Sequence, residues 1–588
     1  MSIQNFLKSL TSVPTRRPIR RKPATFRPRF EALEDRCVPA TFVVNSPLDH
    51  DGLPGIVTLR AAISAANAAP GADQITFDDA VFNAGSTDTI ALDLGQLPKV
   101  TDQLAIDGSI DGGAARIAID GKGGSASVTV VKPSRILSNQ GPRLDLSNLI
   151  LKNGRAPSSS TDYGLRYYGG AIYNLTGALN LVNTDVVNSS GAQFGGGLYS
   201  ANAPVTVTGG TFSGNSAGSG MGGAIFIDQG SLTLTGATIE NNTASTQGGG
   251  ILNSQGTLTI DNTTIRANTI GGTNGGQGGG IHSFGALTIN NSTIADNTAT
   301  VQGGGIWCTG NVGEIRTINN TTITGNTAPS AGGLYASFGT DGSMTITGST
   351  VSDNITGDAG IYFGSRGSLT LKSTIVANSR DSAGAPQKDL ARAAFDTATI
   401  YADYSLIEKV DNGTINGTTS TSPRKGNVAK STNLIGVDPM LAPLADNGGP
   451  TLTHALLPGS PAINKGLNPL NLPYDQRGPG FSRVVGGAAD IGAFEVQPAA
   501  STTAGSKSSG DDDTLLAWPT APEGPSASDP AATTQVAVSE PTTATGDAFF
   551  AIEEVNDLEF ALASLDEVYL DPIIGEWLAD FDLLTELI

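Results

Sequence analysis

Two stretches from the middle of the chain decide its predicted fold. Residues 248–269 have the sequence GGGILNSQGTLTIDNTTIRANT, and residues 278–298 have the related sequence GGGIHSFGALTINNSTIADNT. Each stretch begins with clustered glycines and an aliphatic residue, continues through alternating apolar positions, and ends with Asn and Thr. Alternation with a period of two is typical of short β-strands. Self-similarity of this kind indicates a repeat protein.

The repeat extends well beyond these two units. The aliphatic residue that follows each glycine cluster recurs about every 27 residues, which is the range of solenoid repeats. These residues are Ile172, Leu198, Ile225, Ile251, Ile281, Ile306, Leu334 and Ile361. Three short strands per unit, separated by Gly, Asn and Asp turns, describe one coil of a parallel β-helix. The sequence therefore predicts an all-β protein with about 27 residues and three short strands per coil.

Stacked coils also explain the composition, in which 76 of 588 residues are Gly and only 15% are charged. Adjacent coils lie about 4.8 Å apart, so each inward side chain packs on its counterpart in the next coil. We expect two apolar columns, containing the pairs Leu232/Ile239, Leu258/Ile265, Leu287/Ile294 and Met344/Val351. We expect a polar column of Asn215, Asn242, Asn268, Asn297, Asn326, Asn354 and Asn378. Glycines are expected where the backbone leaves no room for a Cβ, at Gly196, Gly223, Gly249, Gly279, Gly304 and Gly332.

The residue directly after each repeat aliphatic forms another pattern. Seven of these eight residues carry a ring, although aromatic residues make up 6% of the chain. If the aliphatic residue points inward, the alternation of a strand places this column outward. The rings could contact a ligand such as a long glycan, or they could pack beneath a covering segment such as residues 380–436. This candidate ligand-binding stripe consists of Tyr173, Tyr199, Phe226, His282, Trp307, Tyr335 and Tyr362.

A carbohydrate-active lyase or hydrolase working on the outer face is the alternative function, and it needs clustered carboxylates. Asp296 and Asp353 share a column with Gly325 between them, which places them about 9.6 Å apart by coil spacing. That separation suits an inverting pair, but no His or Arg falls beside it in the repeat register. The sequence therefore predicts no catalytic residue. It predicts no cofactor, and it predicts no metal because calcium-binding nonapeptide repeats are missing.

Charge is segregated along the chain, whose formal net charge is -20. Residues 1–30 hold eight basic and no acidic residues, whereas residues 508–588 hold eighteen acidic and no basic residues. Residues 1–40 are predicted to be a disordered basic leader or sorting segment, and 497–545 a flexible linker rich in Pro, Ser, Thr and Ala. Residues 546–588 are predicted either to be an acidic amphipathic tail that contacts a protein partner or the sorting machinery, or to be a disordered acidic tail.

Two classes of partner are excluded by the same patterns. The repeats lack a basic aromatic stripe, so no nucleic-acid binding is predicted. No apolar run reaches the roughly 18 residues of a membrane span, so no transmembrane segment is predicted. An ordinary signal peptide is not seen either, because the start of the chain lacks a hydrophobic core region.

Segments on both sides of the repeats resemble parts of exported bacterial proteins. The stretch RPRFEALEDRCVPATF (27–42) resembles the leader motif of planctomycete surface proteins, whose core reads FExLEDR. Residues 41–77, which include TLRAAI (58–63), resemble the CSLREA-type segment that caps bacterial right-handed β-helices. Residues 438–466 resemble the choice-of-anchor Q module that follows such helices. The repeats themselves, with GGAI or GGGI and a terminal Asn, resemble those of chlamydial polymorphic membrane proteins.

The resemblance implies a right-handed parallel β-helix over residues 41–437, with a short N-terminal capping helix and a long insertion near 380–436. Residues 59–69 are rich in Ala and predict that helix independently. Residues 438–496 are expected to be a C-terminal capping module whose turns close the last coil. The resemblance also implies an extracellular or cell-surface protein, but it assigns no reaction and no ligand. The function predicted here is an adhesin-like binding or structural module, with a polysaccharide or another cell-envelope component as its partner.

Overall fold

The computed structural model describes residues 39–51, 53–83, 88–113, 115–122, 134–157, 167–272, 275–310, 313–339, 341–393, 398–411, 414–416 and 432–498. The chain forms a parallel β-solenoid of about 11 turns with about 28 residues per turn, and only 3% of it is helical. The predicted all-β parallel helix is confirmed. The leader up to residue 38, the linker from residue 499 and the acidic tail lie outside the described residues.

One coil illustrates how the repeat folds. It runs through the strands Ile251–Ser254 and Thr257–Asp261, continues into Thr264–Arg266 and ends in the two-residue strand Thr269–Ile270. The first two strands belong to one sheet, the third to a second sheet and the last to a third. This coil therefore contains four strands because its first segment is divided by a turn, whereas the coils that begin with Leu198–Thr208 and Ile225–Thr235 keep that segment whole and contain the predicted three.

Parallel pairing between successive coils builds the three faces of the solenoid. Among the described residues, the first sheet consists of β1 (Thr41–Val44), β2 (Asp73–Phe77), β4 (Leu104–Asp107), β7 (Leu137–Asn139), β8 (Arg143–Ser147), β10 (Ile172–Asn174), β11 (Ala178–Val182), β14 (Leu198–Thr208), β17 (Ile225–Thr235), β20 (Ile251–Ser254), β21 (Thr257–Asp261), β24 (Ile281–Ser283), β25 (Ala286–Asn290), β27 (Ile306–Gly310), β28 (Arg316–Asn319), β31 (Leu334–Phe338), β32 (Ser343–Thr347), β35 (Ala359–Ser365), β36 (Ser368–Lys372), β38 (Lys388–Arg392) and β39 (Thr399–Asp403).

The second sheet, in the same described part of the chain, consists of β3 (Thr89–Ala91), β5 (Ser109–Ile110), β6 (Ala115–Asp120), β9 (Leu149–Lys152), β12 (Asp185–Val187), β15 (Thr211–Ser213), β18 (Thr238–Glu240), β22 (Thr264–Arg266), β26 (Thr293–Ala295), β29 (Thr322–Thr324), β33 (Thr350–Ser352), β37 (Ile375–Ala377), β40 (Leu406–Ile407) and β41 (Leu434–Ile435). The third face is formed by the short strands β13 (Ser190–Gly191), β16 (Ser216–Ala217), β19 (Thr243–Ala244), β23 (Thr269–Ile270), β30 (Thr327–Ala328) and β34 (Ile355–Thr356).

The predicted columns are present in the register of the strands. Leu258 pairs with Leu232 on one side and with Leu287 on the other, and Ile265 lies between Ile239 and Ile294 in the second sheet in the same way. These side chains are buried in one continuous core. Like residues therefore stack on like residues along the solenoid.

Arg316 interrupts the first apolar column, which the sequence prediction missed. It pairs with Leu287 in the register, and its guanidinium lies 4.5 Å from the centroid of the Phe338 ring. It also forms an ion pair with Glu314. A buried cation is tolerated only when it is paired and stacked in this manner.

Asparagine side chains form the predicted polar ladder. Asn242 donates from Nδ2 to Asn268 Oδ1 (2.9 Å) and to the Phe212 carbonyl (2.9 Å), and its own Oδ1 accepts from the backbone N–H (2.9 Å) and Nδ2 (3.0 Å) of Asn215. The ladder runs from Asn215 to Asn354. Asn378 is not a member, because Ser379 follows Asn354 at that position.

The predicted glycines are confirmed, and the reason is the neighbouring coil. A Cβ on Gly279 would overlap the carbonyl oxygen of Gly304, and a Cβ on Gly304 would overlap that of Gly332. Close approach of the backbones, rather than an unusual φ, therefore requires glycine at these positions.

The predicted N-terminal helix is also confirmed as α1 (Leu59–Ala68). Thr58 caps it by accepting a hydrogen bond from the Ala61 N–H (3.1 Å). Arg60 is buried against Asp49, with Nε 2.7 Å from Oδ1. Together with a 3₁₀ turn at Asp111–Gly113, α1 is the helical structure of the described residues.

Residues 380–436 do not form the predicted insertion in the part that the structure describes. Strands β38, β39 and β40 pair with β35, β36 and β37, so they complete another coil, and β41 then pairs with β40. The described strands of this segment continue the solenoid. Ala391 follows Tyr362 in the stack, so these strands extend the sheet rather than cover the aromatic stripe.

The C-terminal module lies along the side of the solenoid rather than over its last coil. It contains an antiparallel hairpin of β42 (Leu441–Ala445) and β43 (Thr453–Leu456). Hydrogen bonds join it to successive coils through Thr293, Thr322, Thr350 and Ser373. The module covers the outer face of the second sheet, where Leu456, Ala462 and Ile491 share an apolar cluster with Ile375 and Leu406.

Candidate functional site

The aromatic stripe has the outward orientation that the alternation predicts. Ile172 belongs to the main core, whereas the next residue, Tyr173, belongs to a separate cluster outside it. Asn174 points inward again and accepts a hydrogen bond from Asn139 Nδ2 (2.8 Å). The stripe therefore lies on the outer side of the first sheet.

Rings of the stripe stack on one another along the solenoid axis. The Tyr335 and Tyr362 rings lie 5.7 Å apart with an interplanar angle of 2°, and Trp307 lies 6.1 Å from Tyr335 at 5°. Tyr173 and Tyr199 stack at 5.5 Å and 8°. The faces that stacked rings turn toward each other are closed to a sugar. Beyond Tyr362 the register continues with Ala391.

Burial confines any ligand contact to one end of the stripe. The side chains of Tyr173, Tyr199, Phe226, His282 and Trp307 are between 0% and 8% exposed. Tyr335 and Tyr362 are only half-buried. Ligand binding by the stripe stays a prediction, and these two tyrosines are the members that solvent reaches.

The cover of the buried end comes from the coils themselves. Tyr168, Phe194 and Met221, which precede successive glycine clusters, pack against the first rings of the stripe. Farther along, His282 is fully buried and lies 4.1 Å from the Trp307 ring. Burial lowers the pKa of His282 to about 3, so this imidazole is uncharged at neutral pH.

A second candidate site is a cleft of about 510 Å³ where the hairpin of the C-terminal module meets the second sheet. One wall of this cleft consists of residues 441–444 of the hairpin. The other side is polar. The coils contribute Asp296, Thr324, Asp353 and Asn378 to it, and His454 reaches it from the hairpin strand β43.

Asp296, Asp353 and Asn378 belong to one column of turn residues. In each coil, the residue before the ladder position has a positive φ, which is 57° at Asp296, 66° at Gly325 and 58° at Asp353. Gly, Asn and Asp tolerate this left-handed region best. Asn378 has a φ of 58° and belongs here, which corrects its predicted place in the ladder. We call this set the turn column.

Asp353 is held by several partners. Its Oδ1 lies 3.1 Å from Arg380 Nη1, and its Oδ2 accepts from Ser352 Oγ at 2.9 Å. His454 Nε2 lies 3.9 Å from the same Oδ2 and 2.9 Å from Thr324 Oγ1. The expectation that no His or Arg lies beside the carboxylate pair is therefore wrong. Arg380 and His454 lie outside the regular repeats, so the repeat register could not place them.

Asp296 differs from Asp353 because its carboxylate makes no hydrogen bond or ion pair with any described residue. Its Oδ1 leans over Gly325, where a Cβ would overlap it. Burial raises the pKa of Asp296, and Arg266 opposes this shift. The Asp296 side chain nevertheless remains exposed to solvent on the cleft side.

Two further features, a metal-binding cluster and a membrane-spanning helix, are absent from the described ranges. No group of three or more His, Cys, Asp or Glu side chains there is arranged to hold a metal ion. No helix there has the length and apolar character needed to cross a bilayer.

Comparison with known families links one coil to surface proteins. Residues 291–309 match the Chlamydia polymorphic membrane protein (Chlamydia_PMP) repeat. The matched segment contains β26, Asp296 and the glycine cluster 303–305. No curated protein and no solved structure matches the chain. Together with the solenoid, the matched repeat suggests an exported β-helix protein of the outer membrane or cell surface.

Proposed function

We propose that this protein is an exported, adhesin-like β-helix that binds a polysaccharide or another cell-envelope component at the cell surface. The observation that carries the proposal is the match of residues 291–309 to a surface-protein repeat, in a chain that repeats this unit coil after coil. About 11 turns at about 4.8 Å give a solenoid roughly 50 Å long. A long, regular surface of this kind suits an extended polymer.

Segments that flank the regular repeats support export. Residues 27–42 resemble a planctomycete leader, residues 41–77 a CSLREA-type cap and residues 438–466 a choice-of-anchor module. We assign the acidic tail, residues 546–588, to a protein partner or to the sorting machinery. Its negative charge disfavours contact with an anionic membrane surface.

Cell fractionation combined with protease treatment of intact cells tests the location. We expect the full-length protein in the envelope or extracellular fraction, with the solenoid accessible to added protease. Recovery of the whole protein in the cytosol, protected until lysis, would contradict the proposal.

Incubation of the purified protein with a panel of polysaccharides tests the activity. A binding module retains the glycan without releasing reducing ends or unsaturated products. A lyase or hydrolase, the alternative function, releases one or the other. Changing Tyr335 and Tyr362 together to Ala then shows whether the half-buried end of the stripe contributes to binding.

A further inference from the structure

We propose that the cleft between the turn column and the C-terminal hairpin is a saccharide-binding site for uncharged or amino-sugar glycans. Asp296 and Asp353 would accept hydrogen bonds from sugar hydroxyl groups there. This inference rests on the proposed surface function and names the site and the ligand class for it.

The state of Asp296 indicates that the cleft serves a ligand. Other coils fill the same turn position with Asn188, Gly214, Asn241 or Ala267, all with positive φ. The turn geometry therefore does not require a charge. The Asp296 carboxylate is exposed on the cleft side and makes no hydrogen bond to a described residue, so it is available to a ligand. A bound hydroxyl group would replace solvent as its hydrogen-bond donor.

The two walls of the cleft match the two sides of a sugar ring. Leu441, Pro443 and Leu444 provide an aliphatic wall, on which the C–H face of a pyranose can pack. The Asp296 and Asp353 carboxylates and the Asn378 amide provide acceptors and donors opposite that wall. Ligand sites generally combine apolar walls with a few placed polar groups, in volumes of about 300–1,000 Å³. The volume of about 510 Å³ lies within this range.

Arg380 and His454 act as positioning residues rather than as ligand contacts. Arg380 fixes Oδ1 of Asp353 through their ion pair. His454 is held at both ring nitrogens, by the Ala442 carbonyl (2.8 Å) and by Thr324 Oγ1 (2.9 Å). Because Asp353 is paired with Arg380 and Asp296 forms no ion pair with a described residue, the cleft keeps a negative charge at Asp296 that Arg266 only partly offsets.

That charge sets the selectivity of the site. A uronate or sulfate group would meet Asp296 at short range and be repelled, whereas hydroxyl or ammonium groups would be accepted. The site therefore favours uncharged and amino-sugar polymers over acidic ones. Removing the charge at Asp296 should weaken this discrimination.

The test compares binding of the full-length protein to an immobilised uncharged β-glucan, an amino-sugar polymer and a polyuronate. The variants are Asp296→Asn, which suits the same turn geometry, and Asp353→Asn. The matched control is Asp341→Asn, at an exposed turn residue with a φ of 72° outside the cleft. Thermal unfolding of each variant confirms that it is folded.

We expect the wild type to bind the β-glucan or the amino-sugar polymer at least about tenfold more tightly than the polyuronate, because a charge-assisted hydrogen bond and a like-charge clash both contribute. Asp296→Asn should lose about tenfold for the preferred polymer and gain affinity for the polyuronate. Asp341→Asn should bind like the wild type.

Other outcomes overturn the inference in distinguishable ways. Equal binding by the wild type and Asp296→Asn would place the glycan elsewhere and leave the proposed surface function intact. Preference of the wild type for the polyuronate would contradict the assigned ligand class. Absence of binding to all three polymers would overturn the inference, while fractionation would still decide the surface location. Release of reducing ends would replace a binding site by a catalytic one.

Discussion

The Asn ladder and the turn column lie one residue apart in every coil, yet they obey different rules. Asn242 and Asn297 are buried, and each satisfies its neighbours along the stack. Asn241 and Asp296 are exposed, and they share only a positive φ. The ladder keeps one residue type because each side chain is a partner of the next. The turn column varies because its side chains need not contact each other.

This difference shows where a solenoid can acquire function. A column that packs on its own copies cannot change at one coil without damage to the two adjacent coils. The turn column can change at single coils, and it does so at Asp296 and Asp353, where the hairpin approaches. Functional side chains can thus be introduced at positions that the repeat leaves unconstrained. Four predictions test this difference between the self-packing columns and the turn column.

The aromatic stripe should behave as a self-packing column. Changing Trp307 and Tyr335 together to Ala removes two stacked rings, so we expect the free energy of unfolding to fall by about 4 kcal/mol or more. Denaturant titration measures the loss. Tyr335→Phe, which keeps the ring, should cost about 1 kcal/mol or less. A double variant as stable as the wild type would show that the stripe is not a packing column.

Adjacent residues of one coil give the most direct comparison of the ladder with the turn column. Asn242→Ala removes the side-chain donor to the Phe212 carbonyl and the acceptor of the Asn215 backbone N–H, while Asn215 Nδ2 keeps its bond to the Val186 carbonyl (2.8 Å). We expect a loss of about 3 kcal/mol. Asn241→Gly keeps the positive φ and should change stability by less than about 0.5 kcal/mol. Denaturant titration of both variants measures the two changes in stability. Equal losses would show that the ladder and the turn column are equally constrained.

The same division explains what the sequence could predict. The register of Ile281 on Ile306 and of Leu232 on Leu258 followed from the repeat, because each contact joins equivalent positions. Arg316 was missed because its coil departs from the repeat just before it. The contact of His454 with Thr324 joins a non-repeating segment to a coil about 130 residues earlier, and periodicity carries no information about such contacts.

Glu495 in the C-terminal module differs from Asp296 because its carboxylate is buried and has hydrogen-bond partners. It is 1% exposed and accepts hydrogen bonds from the backbone N–H groups of Val485 (2.8 Å) and Asp490 (2.6 Å). Burial nevertheless raises its pKa from 4.5 to about 7. The folded state therefore retains a proton that the unfolded chain releases, and the stabilisation from this group is lost as the pH rises from 4.5 through 7.

We expect the module to lose on the order of 2 kcal/mol of stability from Glu495 between pH 4.5 and pH 8. Denaturant titrations of the wild type and of Glu495→Gln across this window measure it, because the variant cannot titrate at this position. The difference in stability between the two proteins should change steadily with pH. A difference in stability that stays constant with pH would contradict the raised pKa of Glu495.

The smallest expected effect, at Asp296, is the most informative about the cleft. Burial raises the pKa of Asp296, so its charged form is disfavoured in the folded state and its stabilising contribution declines as the pH rises through that pKa. Asp296→Asn should therefore stabilise the protein at pH 8 by a few tenths of a kcal/mol, since the side chain is exposed enough for solvent to screen its charge. At pH 3, where the wild-type carboxyl is protonated, the gain should disappear.

Thermal unfolding at both pH values measures this, with Asp341→Asn as the control. A variant that is more stable but binds glycan less well would show that the charge is kept for the ligand and not for the fold. A variant that is less stable at pH 8 would mean that Asp296 has a structural role in the turn.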